Sequence, residues 1–367
     1  MKRIVNKGRY VRLQWRRGEH ALERRRCRAK YLKAKRRTHL GKPKRLRRYE
    51  TPTRVLPRAG FTRVQAPPDM RMVHNPEGCN AFFATLAHHL ERRNPVRVSI
   101  YGVRRVDSAA IVILLAIMIR FRAQGVGFGG DFPKDQAIRE AIAKSGFFQG
   151  LYRKYEDRDT YSVSPERGLH THAEKKVNSV LTARIISNAA TTVWGEPRRA
   201  QGVQRILLEL MHNTNNHAAL EGQGEKHWWL SVNHQKKKHK VTFTFVDFGV
   251  GVFTSLDSKG KTSKWFGWRD QLITVLKRMD NPMIMKAILD GRLHETVTKQ
   301  SFRGKGLPGI RQVQSRNGVS NLLIVTNDVY AHVGRGEYSS LKVPFSGTLV
   351  IWELQPSNSC TPAHEDD

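Results

Sequence analysis

ILLELMHNTNNHA, residues 206–218, sets a carboxylate and asparagines at helical spacing inside an otherwise apolar run. On a helix of 3.6 residues per turn Glu209 and Asn213 stand one turn apart and Asn216 falls near the same line. Leu207, Leu210, Met211 and Ala218 gather on another face, so the spacing predicts an amphipathic helix. Its polar side is either a plain solvent face or the wall of a site. Two later stretches favour the wall. VTFTFVDFGVGV, residues 241–252, alternates before an Asp, so a strand delivers Asp247 to a turn. There Gly249 and Gly251 permit positive φ and close approach to a ligand. RGKGLPGI, residues 303–310, is a second glycine-rich turn running into a helix, and its backbone N–H groups suit phosphate.

In chain order these stretches form ExxxN on a helix, DxGxG after a strand, GxGLxxI before a helix, and Gly347-Thr348 opening a final strand. That ordered set resembles the GHKL ATP-binding superfamily of histidine kinases, anti-sigma-factor kinases, gyrase-type topoisomerases, mismatch-repair ATPases and heat-shock chaperones. The resemblance covers residues 170–354. It implies ATP as ligand and Mg²⁺ as cofactor, with Glu209 as general base toward a water or hydroxyl and Asn213 as the Mg²⁺ ligand. It implies Asp247 as acceptor for the adenine amino group on a turn supported by Gly249 and Gly251. Gly304, Gly306 and Leu307 match the phosphate-side loop, and Thr348 the hydroxyl beside the adenine-binding Asp. The residue types suit these roles: an Asn oxygen is a neutral hard donor for Mg²⁺, and a Glu one turn away can orient or deprotonate a nucleophile. NTNNHA resembles the anti-sigma kinase form, and Asn216 departs from the Lys that many histidine kinases carry there.

The chain's formal charge is +34, and residues 1–50 hold 21 Lys or Arg against 3 Glu. Tyr10, Trp15, Tyr31 and Tyr49 are interleaved with these charges, and the stretch has little apolar material to bury. A disordered, polyanion-seeking tail is expected, with DNA or RNA, or an acidic protein, as its partner. Cys27, Cys79 and Cys360 have no CxxC spacing, which points to a reducing compartment, here the cytoplasm, and away from zinc. His88, His89, His170 and His172 read as ordinary surface or core histidines. The apolar run at 109–119 is too short for a bilayer, which needs about twenty residues, so no membrane association is expected.

Residues 51–70, with four prolines, read as a linker. Helices are expected at 82–90, 109–119 and 137–144 and strands at 96–101 and 125–132. The order β-Asp-Ser-α-β-α, with VDSAAIVILLAIMIRFRAQGVGF beginning at Val106, resembles STAS domains, the family of anti-sigma-factor antagonists. The resemblance makes Ser108 a phosphoacceptor; read as local structure, Asp107 or Ser108 is a helix cap, and Ala109-Ala110 departs from the antagonist pattern. A helix over 172–190 and strands at 228–233, 241–247, 321–326 and 348–354 complete a mixed sheet with helices on one face. The 253–302 insertion reads as a lid or a packed helical insert.

The fold class expected is α/β and α+β. A basic tail and linker occupy 1–70, a STAS-like α/β domain 71–155, a linker 156–169, a Bergerat-type α/β sandwich 170–356 and a C-terminal tail 357–367. Two functions follow from the resemblances. One is a Mg·ATP-dependent ATPase or protein serine kinase that signals to the STAS-like domain and a protein partner, in the manner of bacterial partner switching, with a homodimer allowed. The other is a non-catalytic nucleotide-binding scaffold that holds nucleic acid or an acidic protein through its tail. The tail generates a prediction of its own. Affinity for arbitrary DNA or RNA should fall as salt rises, by about 0.7 to 0.9 in log-log slope per phosphate contact. Deleting residues 1–50 should abolish most of it and leave ATP affinity unchanged, as read by anisotropy at several salt concentrations. An unchanged slope in the truncated chain would move the interaction to the KKKHK segment at 236–240 and the insertion.

Overall fold

Apolar periodicity switches between three-to-four and two along the chain, and the elements of the computed structural model follow it. The structure describes residues 60–144, 169–174, 179–217, 228–255, 279–292 and 306–358, all inside one compact unit, Ala59–Asp367. The basic tail, the joint at 145–168, most of the 253–302 insertion, Gly304 and residues 359–367 lie outside the described residues.

The first half runs β1 (Thr62–Gln65), β2 (Asp69–Met70), α1 (Pro76–Glu91), β3 (Val96–Ser99), β4 (Arg105–Val106), α2 (Ser108–Ala123), β5 (Phe128–Gly130) and α3 (Gln136–Lys144). Strands β1, β3 and β5 pair in parallel in that order, with α1 and α2 as the crossovers that parallel neighbours require. A short parallel pair, β2 with β4, stands beside them. β1 and β2 fall inside the stretch expected as a linker. Val64, Ala66 and Met70 bury apolar surface there, and Pro67-Pro68 sit between strands, where a missing N–H breaks no ladder. Helix α2 is apolar all round, and every residue from 109 to 119 is buried. It runs past the expected stop at Arg120 to Ala123, because Phe121 is fully buried against Phe128.

The second half runs β6 (Leu169–Glu174), α4 (Ser179–Trp194), α5 (Gln201–His217), β7 (Trp228–Gln235), β8 (Lys240–Asp247), α6 (Asn281–Leu289), α7 (Gly306–Ser315), β9 (Ser320–His332) and β10 (Glu337–Leu354). Its sheet has the order β6-β7-β8-β10-β9, and each pairing is antiparallel, not mixed. Hairpins explain this: Lys236–Lys238 closes on His239 at φ 48°, and Val333–Arg335 closes on Gly336 at φ 70°. The helix expected from residue 172 starts at Ser179. LHTHAE has a period of two and pairs as edge strand β6 with β7, which places His170 and His172 on a strand.

The sheet is covered on both faces. Leu230, Phe243, Phe245, Ile324, Val350 and Trp352 bury against Ile206, Leu207 and Leu210 of α5 and Ile310 of α7. Trp229, Val246, Val325, Leu349 and Ile351 bury in a second core with α1 and α2. The second half's own helices lie on one face, as expected, and the first half covers the other because the alternate positions of these strands are apolar too, and water on that side would leave them exposed. Polar ties reinforce the contact: the Asn80 side-chain amide donates to Val343 O, Tyr330 Oη donates to Val73 O at 3.1 Å, and Lys342 N–H donates to Glu77 Oε1 at 3.1 Å. Fold class is therefore mixed, a parallel α/β half joined to an α+β half built on an antiparallel sheet.

Ile113→Ala on α2 and Phe243→Ala on β8 test the joint from opposite sides of the sheet. Each should cost about 2 to 5 kcal/mol and shift one cooperative urea transition. Two separated transitions would show that the halves unfold independently.

Candidate functional site

Strand register lines up four residues across the sheet: Trp228 on β7, Asp247 on β8, Thr348 on β10 and Thr326 on β9. Trp228, Phe245 and Val350 share the core with α5, so the row faces that helix. Asp247 closes the strand and is 7% exposed. Its Oδ1 accepts the Gly249 N–H at 2.9 Å, an Asx turn, and its Oδ2 lies 3.2 Å from the Thr214 hydroxyl of α5, which shares its proton with the Leu210 carbonyl oxygen at 3.1 Å. Burial pushes the carboxyl up to about 6, against the downward pull of hydrogen bonds from Gly249, Thr214 and the Thr348 backbone. Among the described residues no cation is placed against it. A desolvated acid of this kind, with acceptor capacity left after three protein donors, is suited to a ligand that brings its own N–H.

The turn after Asp247 is tightly held. Of its two glycines only Gly251 adopts positive φ, at 80°. Gly249 instead turns its N–H back to the carboxylate. A Cβ on Gly251 would lie 2.3 Å from Asn327 Oδ1, and one on Gly347, at φ 114°, would lie 2.0 Å from the Asp247 carbonyl oxygen. Both positions therefore exclude a side chain.

Helix α5 presents its polar line to α7. A Cβ on Gly306, the first residue of α7, would lie 3.3 Å from Asn213 Nδ2 and 3.5 Å from Glu209 Oε2. The bare backbone at Gly306 thus leaves a cradle beside the amide and the carboxylate. Leu307 packs against the core on the same side, and the Arg205 guanidinium, one turn before Glu209, fills the space over Gly309. Thr214, next to Asn213, turns to the strand. One helix therefore touches the Asp247 turn and the second glycine turn at once. The structure brings Glu209, Asn213, Gly306 and Leu307 together, and sets Asp247, Gly249, Gly251 and Thr348 together across α5 from them. Gly304 and the Asn216 side chain lie outside the described residues.

Ser108 stands apart from both groups. It opens α2, whose apolar residues bury in the core on the other face of the sheet. Asp107 is the N-cap, accepting the Ala110 N–H at 2.8 Å, and burial pushes its carboxyl up to about 6. The far end of α2 does approach the turn: the Arg120 guanidinium lies 4.9 Å over the Phe248 ring. Cys79, a buried residue of α1, has its thiol pushed up to about 12 by burial, which disfavours the thiolate.

Sequence reasoning misses Thr214, Thr326 and Asn327. A Thr between two Asn on a helix, and Thr-Asn at mid-strand, are weak local signals that gain meaning only when the strands are aligned. No protein-family model matches the chain, and a search of curated proteins finds no match.

Asp247 has a folded pKa above its unfolded one, so its contribution to stability is fully present below about pH 3.8 and is lost as pH rises through about 6. The stability of the wild type minus that of Asp247→Asn should therefore fall by about 3 kcal/mol over that window. Urea unfolding of both proteins from pH 4 to 7.5 measures it, and a constant difference would show the carboxyl to be solvated.

Proposed function

We propose that the second half binds Mg·ATP in the manner of the GHKL superfamily and acts as an ATPase or serine-kinase-like regulator. One observation carries the reading: Gly306, Glu209, Asn213, Asp247 and Thr348, from four separate stretches of sequence, meet around a single helix. The antiparallel sheet with α4 to α7 on one face supports a Bergerat-type fold. The β1-α1-β3-α2-β5-α3 order supports a STAS-like first half, which would pass the nucleotide state to a protein partner.

The residues fit the ligand. Asp247 accepts the adenine amino group with its remaining acceptor site, and Thr348 stands beside it. Among the described residues no cluster of three or more His, Cys, Asp or Glu could hold a metal, so Mg²⁺ would take Asn213 together with phosphate oxygens. When bound, that ion would neutralise phosphate charge. Glu209 orients the attacking water or hydroxyl and takes its proton. Gly306 keeps the backbone close to both residues. Ser108, on the opposite face of the sheet, would receive phosphate from the nucleotide site, in cis or between subunits. Among the described residues no helix is long and apolar enough to cross a membrane.

Calorimetric titration should show ATP binding that weakens when Mg²⁺ is chelated. Asp247→Asn should weaken it about ten- to a hundred-fold, the equivalent of one charge-assisted hydrogen bond. Glu209→Ala should keep binding and lose turnover by about a hundred-fold or more. No binding by the wild type overturns the reading, and turnover that survives Glu209→Ala overturns the catalytic role. Intact-mass measurement after incubation with Mg·ATP checks Ser108, through a phosphoryl adduct that Ser108→Ala removes.

A further inference from the structure

The turn at 247–254 is shaped by two residues that lie far from it in sequence. β9 pairs Thr326 with Thr348 and Asn327 with Phe345, so β10 bulges at Ser346-Gly347 opposite this dipeptide. Asn327 adopts φ 49°, a left-handed conformation that turns its side chain out of the regular ladder. Its Oδ1 accepts the Phe253 N–H at 3.1 Å, while its Nδ2 donates to Val250 O at 3.0 Å and Thr254 Oγ1 at 3.1 Å. Thr326 Oγ1 accepts the Val252 N–H at 3.0 Å and donates to Gly347 O at 3.0 Å. Its single proton is then spent, so in the 3.3 Å contact with Thr348 Oγ1 the donor is Thr348. The Thr348 hydroxyl is thereby oriented beside Asp247.

We propose that Thr326 and Asn327 are positioning residues for nucleobase recognition: they hold the turn from Val250 to Thr254 and the Thr348 hydroxyl in the arrangement that presents Asp247 to the base. The inference rests on the Mg·ATP reading and deepens it. Asn327 is required in both its chemistries, since the same amide accepts from one backbone group of the turn and donates to another. Gly251 is required because the amide occupies the space a Cβ would take. The titratable groups nearby are few. Asp247 heads the turn, the Arg120 guanidinium of α2 lies 4.9 Å over the Phe248 ring, and Asp328 follows in β9 with its carboxylate taken by Asn281 Nδ2 of α6 at 2.7 Å. β10 places Phe345 opposite Asn327, and residues 248–254 carry no charge.

The test is the ATP dissociation constant, with Mg²⁺, of wild type, Asn327→Gly and Asn327→Asp across pH. Asn327→Gly keeps the left-handed backbone without strain and removes the side-chain bonds; it should bind ATP at least about ten-fold more weakly at each pH, since each lost bond counts for a factor of a few or more. Asn327→Asp keeps the acceptor for Phe253 but sets an anionic oxygen against Val250 O. Its affinity relative to wild type at the same pH should be low at neutral pH and rise toward parity as the new carboxyl protonates and donates again. Taking the ratio removes Asp247's own titration. Variants that bind like wild type overturn the proposal. So does a weakened Asn327→Asp whose ratio is independent of pH, because that is the signature of lost packing. Wild type that binds no nucleotide overturns the functional reading itself and this inference with it.

Discussion

A sheet that is apolar on both faces has to be covered twice, and this constraint organises the molecule. Strands β7 to β10 alternate Leu230, Phe243, Phe245, Val350 and Trp352 on one side with Trp229, Val246, Leu349 and Ile351 on the other. Helices α4 to α7 satisfy the first side. The second is satisfied by α1 and α2 from the parallel half, and α2 is itself apolar around its whole circumference. Neither could face water without exposing a large hydrophobic patch.

Against that background the carboxylate of Asp247 is expensive to keep. Desolvation raises its pKa, and the hydrogen bonds it receives come from neutral donors, which recover only part of the cost. A buried amide or hydrophobic side chain would serve the fold better. An acid at this position therefore costs the fold stability, and the proposed ligand donor would offset that cost. The same logic covers Gly251, Gly347 and Gly306. Each leaves bare backbone against a polar side chain or a carbonyl, and larger residues would clash there or fill the cradle.

Asp247 and Phe248 are adjacent in the chain and point to opposite faces of the sheet. The first meets Thr214 of α5, the second the Arg120 guanidinium of α2. The turn therefore contacts both sides within one residue. The physical link between the two halves of the unit at this turn is short and runs through packed side chains.

Local pattern alone determines several features. The period of 3.6 in ILLELMHNTNNHA places Glu209 and Asn213 together, the period of two before Asp247 makes β8, and the unbroken apolar run at 109–119 makes a buried helix. These are relations between neighbours in sequence, which side-chain chemistry and backbone geometry settle without the rest of the chain. Strand direction, the cover on the second face, and the roles of Thr214, Thr326 and Asn327 are not legible in this way. LHTHAE pairs as a strand because β7 offers it an edge. Asn327 reaches Val250 and Phe253 across 74 to 77 positions because β9 lies next to β10 with a bulge between them. Ser108 parts from Glu209, Asn213 and Asp247 because α2 takes the face that α5 does not. Such contacts join residues distant in sequence, and only the closed sheet, which fixes both register and face, brings them within hydrogen-bonding distance.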